Sequence, residues 1–216
     1  GVEVHHVGDL HGSTGICSSS AFTVGLLHAA HALQGRMPTK KQLALEAIYV
    51  EQDLNKENVG SQDQAAAAFG GFNQIQFGGE SHFQARPLTL PAERINLLQD
   101  HLMLFFTGVS RTSSEVAEEQ VKNAPKKGKE LAQMVALVDQ AIGILSDAKD
   151  LSEFGKLLHE GWQVKRSLTS RISTPQIDTL YDTACAAGAI GGKLLGAGGG
   201  GFLLLFVRPE EQDRVK

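Results

Sequence analysis

The 216-residue chain has only two cysteines, Cys17 and Cys185, far apart and without metal-ligand spacing. That excludes a disulfide scaffold and a zinc finger, and it points to a reducing compartment, the cytoplasm. No apolar run is long enough to span a bilayer as a helix. Basic residues are outnumbered, 20 Lys and Arg against 24 Asp and Glu, so no electrostatic footprint for nucleic acid is present. Neither a membrane nor nucleic acid is expected among the partners. Glycine is plentiful, with 24 residues, and two glycine-rich stretches stand out.

The first is Gly12-Ser13-Thr14-Gly15-Ile16-Cys17-Ser18-Ser19-Ser20. It lacks the closing Lys-Ser or Lys-Thr of a Walker A loop, and it is not Gly-x-Gly-x-x-Gly. It is preceded by strand-like alternation over residues 2–8 and runs into a helical pattern from about Ser18 to Leu33. Strand, loop and helix in that order suit an anion at the helix N-terminus, where unpaired N–H groups and the dipole converge; an ordinary serine-capped helix is the plainer alternative. The helix is apolar on most sides and is expected to pack inside. His28 and His31 lie three apart on it, read as satisfied histidines because no third ligand is near.

A second helix follows Thr39, a plausible N-cap, and runs to about Leu54. Glu51 shares a face with the apolar Leu43, Ala44, Ala47 and Ile48, and is either a partly exposed glutamate at the helix edge or a metal-binding carboxylate aimed at the first loop. Asp63 follows Gly60 and precedes the small residues Ala65 to Ala68. It is a candidate base presented to a cleft, and equally the N-cap of a short helix. Strands at 72–78 and 82–90, ending at Pro91, complete a first domain of residues 1–91; residues 92–216 form a second. There a strand at His101 to Gly108 leads to Arg111, placed to meet a substrate phosphate or to form a surface ion pair.

Helical patterns cover about 114–122, 128–148, 151–167 and 175–187, with Trp162 as a core anchor. The second glycine stretch, Gly191 to Gly201, has seven glycines in eleven residues and feeds an apolar strand at Phe202 to Val207. Such a run suits close backbone approach rather than a linker. The sequence opens on a strand pattern without Met or a leader and closes on an uncompleted helix, so it is expected to be cut at both ends.

In this order the motifs resemble those of the GHMP kinase superfamily of small-molecule kinases. The first loop is similar to its Pro-x-x-x-Gly-Leu-Gly-Ser-Ser phosphate motif, the Asp63 segment to its catalytic-aspartate segment, and the second glycine stretch to its third motif. Within the superfamily the resemblance is strongest to the D-glycero-D-manno-heptose 7-phosphate kinases. It is carried by Glu57-Asn58-Val59-Gly60-Ser61-Gln62-Asp63-Gln64, by Phe105-Phe106-Thr107-Gly108-Val109-Ser110-Arg111 and by Lys193-Leu194-Leu195-Gly196-Ala197-Gly198-Gly199-Gly200-Gly201.

The resemblance implies an α+β fold: an incomplete domain like ribosomal protein S5 domain 2, then a ferredoxin-like domain, with nucleotide and sugar phosphate between them. It implies ATP and Mg²⁺ as cofactors and phosphoryl transfer to the anomeric hydroxyl of a heptose 7-phosphate. The loop from Gly12 through Ser13, Thr14, Gly15, Ile16, Cys17, Ser18 and Ser19 to Ser20 would wrap the ATP phosphates. Ser19 and Glu51 would hold Mg²⁺, Asp63 would act on the acceptor hydroxyl, and Gly196, Gly198 and Gly199 would shape the nucleotide cleft. A homodimer is compatible with it. Kinases for fucose or an octose phosphate are the neighbouring readings, and a non-catalytic nucleotide-binding module is the reading outside enzymes.

Two positions depart from the pattern: Cys17 stands where glycine is usual and His11 where proline is usual. A Cβ at position 17 would be strained at positive φ. Family members also carry an upstream quarter with sugar-binding contacts, so this chain is expected to be a poor catalyst.

Overall fold

The computed structural model describes residues 1–7, 16–78, 82–109, 113–147 and 150–216. Helix α1 spans Ser18–Leu33 and α2 spans Lys40–Ile48, the latter started by Thr39, whose Oγ1 accepts from the Gln42 N–H at 3.1 Å. From α2 the chain continues into one π-helical turn, Tyr49–Leu54, and then reaches α3, Gln62–Phe69. Alanine lets these helices approach closely: Ala44, Ala47 and Ala65 are fully buried, between Val24 and Leu43 on one side and Phe83 on the other. The hairpin of β1 (Asn73–Phe77) and β2 (Phe83–Pro87) closes this half, paired antiparallel from Asn73 and Pro87 to Phe77 and Phe83.

Three expectations are corrected here. Residues 1–7 form no strand, and Val2, Val4 and Val7 are exposed; alternation makes a strand only where a ladder partner exists, and the described residues offer none. Helix α1 is not packed all round. Ser20 and Val24 are buried, whereas Phe22, Leu26 and Leu33 are exposed, because α2 and α3 cover only one side of it. Asp63 is not the cap of α3; Ser61 is, and Asp63 stands in the first turn. His31 is a satisfied histidine, as read, with its Nε2 2.6 Å from the Glu46 carboxylate.

After α4 (Ala92–Asp100), strand β3 (Leu102–Phe106) enters a second antiparallel sheet with β4 (Ala189–Leu194) and β5 (Phe202–Val207), in the order β3-β5-β4. Four helices lie between β3 and β4: α5 (Ser113–Asn123), α6 (Gly128–Ser146), α7 (Ser152–Arg166) and α8 (Pro175–Ala187). Trp162, Tyr181, Ile172, Ile177, Leu194 and Leu205 form the centre of their core. The second glycine stretch begins as strand, not loop: Gly191, Gly192 and Lys193 pair with Phe206, Leu205 and Leu204. The chain closes with a 3₁₀ turn, Pro209–Glu211, and α9, Gln212–Val215.

The fold is α+β, with helices packed on antiparallel sheets. Its apolar clusters keep apart along the chain, two within residues 24–85 and two within 90–215.

Candidate active site

Among the described residues no side chain caps the N-terminus of α1, which suits an anion. Its N-cap is Cys17, which makes no side-chain capping bond, and the first turn carries no acidic residue. The serine-capped alternative therefore fails, and the N–H groups of the Ser18-Ser19-Ser20 turn keep no side-chain cap. Cys17 has φ 61° and ψ 23°, the left-handed conformation that glycine adopts freely, so its Cβ costs about 1 kcal/mol. Its thiol, pushed up to about 12 by burial and then by the adjacent Asp63 carboxylate, stays protonated. At pH 8 its alkylation by iodoacetamide is expected to be at least about a hundredfold slower than that of free cysteine, because the thiolate is the nucleophile. A rate equal to free cysteine would contradict this placement. Gly12, Ser13, Thr14, Gly15 and Arg111 lie outside the described residues, and Ile16 and Ser18 are half-buried at the head of α1.

Behind this N-terminus lies a buried polar cluster. Ser20 Oγ donates to Glu51 Oε2 at 2.9 Å, and Gln64 Nε2 donates to the same oxygen. Glu51 is only 1% exposed, and both Glu51 Oε1 and Gln64 Oε1 are buried without a hydrogen-bond partner among the described residues. Glu51 is thus neither at an edge nor in solvent; the π turn that carries it widens the helix and turns it inward. Ser19 is exposed, and its carbonyl accepts from Thr23 Oγ1 at 3.1 Å. The serine that meets Glu51 is therefore Ser20, one residue beyond the expected ligand.

Two unsatisfied buried acceptors beside an anion-ready helix end form an environment for a hard, oxygen-seeking cation such as Mg²⁺. No group of three or more His, Cys, Asp or Glu gathers among the described residues, so a site for a softer metal is not built there.

Asp63, half-buried in the first turn of α3, faces the Cys17 thiol and lies within electrostatic range of Lys165. Lys165 sits on the last turn of α7, and its Nζ donates to the Gly196 carbonyl at 2.6 Å. The glycine loop itself is pinned from behind. The Gly199 N–H donates to the Ile172 carbonyl at 2.9 Å, the Gly201 N–H to the Val109 carbonyl at 2.8 Å, and Gln120 Nε2 to the Ala197 carbonyl at 2.7 Å. Gly198, at φ +128°, would place a Cβ 2.8 Å from Ile172 Cα. Gly198 and Gly199 accordingly shape the loop against residue 172, and the Gly199 N–H is already engaged.

Sequence reasoning assigned no role to Lys165 or Lys193. Signals existed: Lys193 leads the third motif, and Lys165 follows the core anchor Trp162 by three residues, on the same helix face. A separate open depression of about 680 Å³ between α5 and the start of α8, lined by Glu115, Ser170, Arg171 and Thr174, contains none of these groups.

Comparison with known proteins places this geometry in a context. The family model described as the GHMP kinases N terminal domain matches residues 1–71, and that of GHMP kinases C terminal matches residues 134–216. The chain is 29% identical over 212 residues to the D-glycero-alpha-D-manno-heptose 7-phosphate kinase of Campylobacter jejuni, covering 97% of this chain and 62% of that protein. It is 26% identical over 232 residues to the L-fucokinase/L-fucose-1-P guanylyltransferase of Bacteroides fragilis, covering 100% of this chain and 23% of that protein. Among solved structures, a D-glycero-D-manno-heptose 1-phosphate kinase from Bacteroides thetaiotaomicron superposes with a TM-score of 0.71 at 25% identity, covering 96% of this chain and 57% of that one. The chain thus spans about three fifths of the heptose-phosphate kinases it matches.

Proposed function

Because the chain belongs to the GHMP kinases, we propose that it transfers the γ-phosphoryl group of ATP to a sugar or sugar phosphate, in the first instance to the anomeric hydroxyl of a heptose 7-phosphate. The observation that carries this reading is the position of Asp63, a carboxylate between an uncapped helix N-terminus and a half-buried lysine. The N–H groups at the head of α1 receive the nucleotide phosphates, with the loop from Gly12 to Gly15 around them. Asp63 accepts the proton of the acceptor hydroxyl as its oxygen bonds to the γ-phosphorus and the bond from that phosphorus to the β–γ bridging oxygen breaks.

Glu51, with Ser20 and Gln64 around it, would hold Mg²⁺, and Ser19 is the weaker candidate because it is exposed. When bound, the cation neutralises charge on the β- and γ-phosphate oxygens. Arg111 is proposed to meet the acceptor's phosphate, and the two halves, divided near residue 91, to enclose the cleft.

The test is ADP release from Mg-ATP with a panel of acceptors: heptose 7-phosphate, mannose 6-phosphate, L-fucose, galactose and mevalonate. Slow release stimulated most by heptose 7-phosphate is expected; release indifferent to every sugar would overturn the reading, and stimulation by fucose or galactose would move the acceptor within it. A companion measurement addresses Glu51. Glu51→Gln removes a buried charge, so without Mg²⁺ the variant is expected to be more stable by about 1–2 kcal/mol. The stabilisation by Mg²⁺ and a non-hydrolysable ATP analogue, about 3 kcal/mol at a hundredfold excess over Kd, is expected to vanish. Thermal unfolding in the two conditions reads both, and an undiminished Mg²⁺ effect would remove Glu51 from the site.

A further inference from the structure

Three lysines form ion pairs along their helices: Lys127 with Glu130, Lys156 with Glu153, Lys216 with Asp213. Lys165 and Lys193 do not. Among the described residues neither ammonium group has a carboxylate within ion-pair distance, although both residues are half-buried. They are also near each other. Burial and then the charge on Lys193 pull Lys165 down to about 7, opposed by Asp63, and burial alone pulls Lys193 below the ordinary lysine range.

Two like charges held together in a half-buried site are costly unless an anion joins them. The Lys165 Nζ spends one of its three N–H donors on the Gly196 carbonyl at 2.6 Å, which fixes its direction at the mouth of the glycine loop and leaves two donors without a partner among the described residues. Helix α7 and strand β4, which carry the pair, are packed on each other, and the loop is tied to residues 109 and 172. The seat is therefore built on rigid elements before any ligand arrives.

We propose that Lys165 and Lys193 form a phosphoryl seat across from Asp63, in which the Lys165 ammonium binds phosphate oxygens directly and Lys193 supplies the second positive charge. The inference rests on the kinase reading only for the origin of that phosphate, which is either the nucleotide's or the acceptor's. A lysine pair suits this task as compact point charges with rotatable donors.

The test uses the whole chain and four probes: Mg²⁺ with AMPPNP and pyrophosphate for the nucleotide source, inorganic phosphate and mannose 6-phosphate for the acceptor source. In calorimetric titrations Lys165→Met is expected to weaken at least one of these pairs tenfold or more, Lys165→Arg to weaken it less, and Lys193→Met to weaken it severalfold. Loss confined to one pair identifies the source. A second readout needs no variant. In wild-type protein given trace acetic anhydride, the saturating probe is expected to protect Lys165 and Lys193, while Lys156 and Lys216 react as before.

If no probe binds or protects, or if Lys165→Met binds all four as the wild type does, the seat is overturned. Sugar-dependent ADP release and the Glu51→Gln response judge the kinase reading separately. Protection of Lys165 with no sugar-dependent release would sustain the seat while the kinase reading failed.

Discussion

Asp63→Asn is expected to lower sugar-dependent ADP release by about 10²–10⁴-fold, the usual contribution of a positioned general base. The substitution keeps the shape and the hydrogen-bonding reach of the side chain and removes its negative charge, and with it the capacity to take a proton. The fold is expected to survive, since Asp63 is half-buried and the cap of α3 is Ser61, not Asp63. The binding of Mg²⁺ and AMPPNP is expected to be kept, because the Ser20, Glu51 and Gln64 cluster is not touched. The variant also reports on itself through Cys17. The Asp63 charge is one of the causes that raise the thiol, so its removal lets the thiol fall back toward the ordinary range and alkylation at pH 8 becomes faster. A variant that turns over within threefold of wild type while its Cys17 reacts faster would show that Asp63 faces the site without serving as the base.

Gly191→Ala is expected to have the largest effect on stability. Helix α7 crosses β4 at Gly155 and Gly191, and a Cβ on residue 191 would sit 2.0 Å from the Gly155 carbonyl oxygen and 2.9 Å from the His159 nitrogen. Both obstacles are backbone, so no side chain can swing away; the helix must leave the sheet. The loss is expected to be about 3 kcal/mol or more, a large share of the 5–15 kcal/mol typical of a domain. Gly25→Ala is the control. Nothing lies within 4 Å of its Cβ position, and it sits mid-helix in α1. It is expected to stabilise by about 0.5–1 kcal/mol through helix propensity. Urea unfolding midpoints of the two variants would separate the contributions, and a Gly191→Ala midpoint equal to wild type would contradict the close crossing. Displacement of α7 also carries Lys165 away from Gly196, so residual folded protein is expected to lose phosphate affinity.

Much of this was legible in the residues. The periodicity of apolar positions predicted α6, α7 and α8 to within two residues at each end, and Thr39 announced the start of α2, where its hydroxyl does cap. These are local signals, set by hydrogen bonds and side-chain spacing within a few residues, and a chain carries them wherever it is folded.

The features that went astray depend on distant neighbours. Residues 2–8 alternate like a strand, yet no partner among the described residues pairs with them. Helix α1 is apolar on most sides, yet only the side toward α2 and α3 is covered. A 3.6-residue period put Glu51 on an apolar face without choosing between the helix edge and the interior, and the folded chain buries it beside Ser20 instead of Ser19. Lys165 and Lys193 lie 28 positions apart and meet because α7 packs on β4 through Gly155 and Gly191. Residue types and their order were enough to assign the family. Burial, charge coupling and the choice between adjacent serines were not, because each is a property of groups brought together from separate elements, and its sign depends on what the folded chain places opposite.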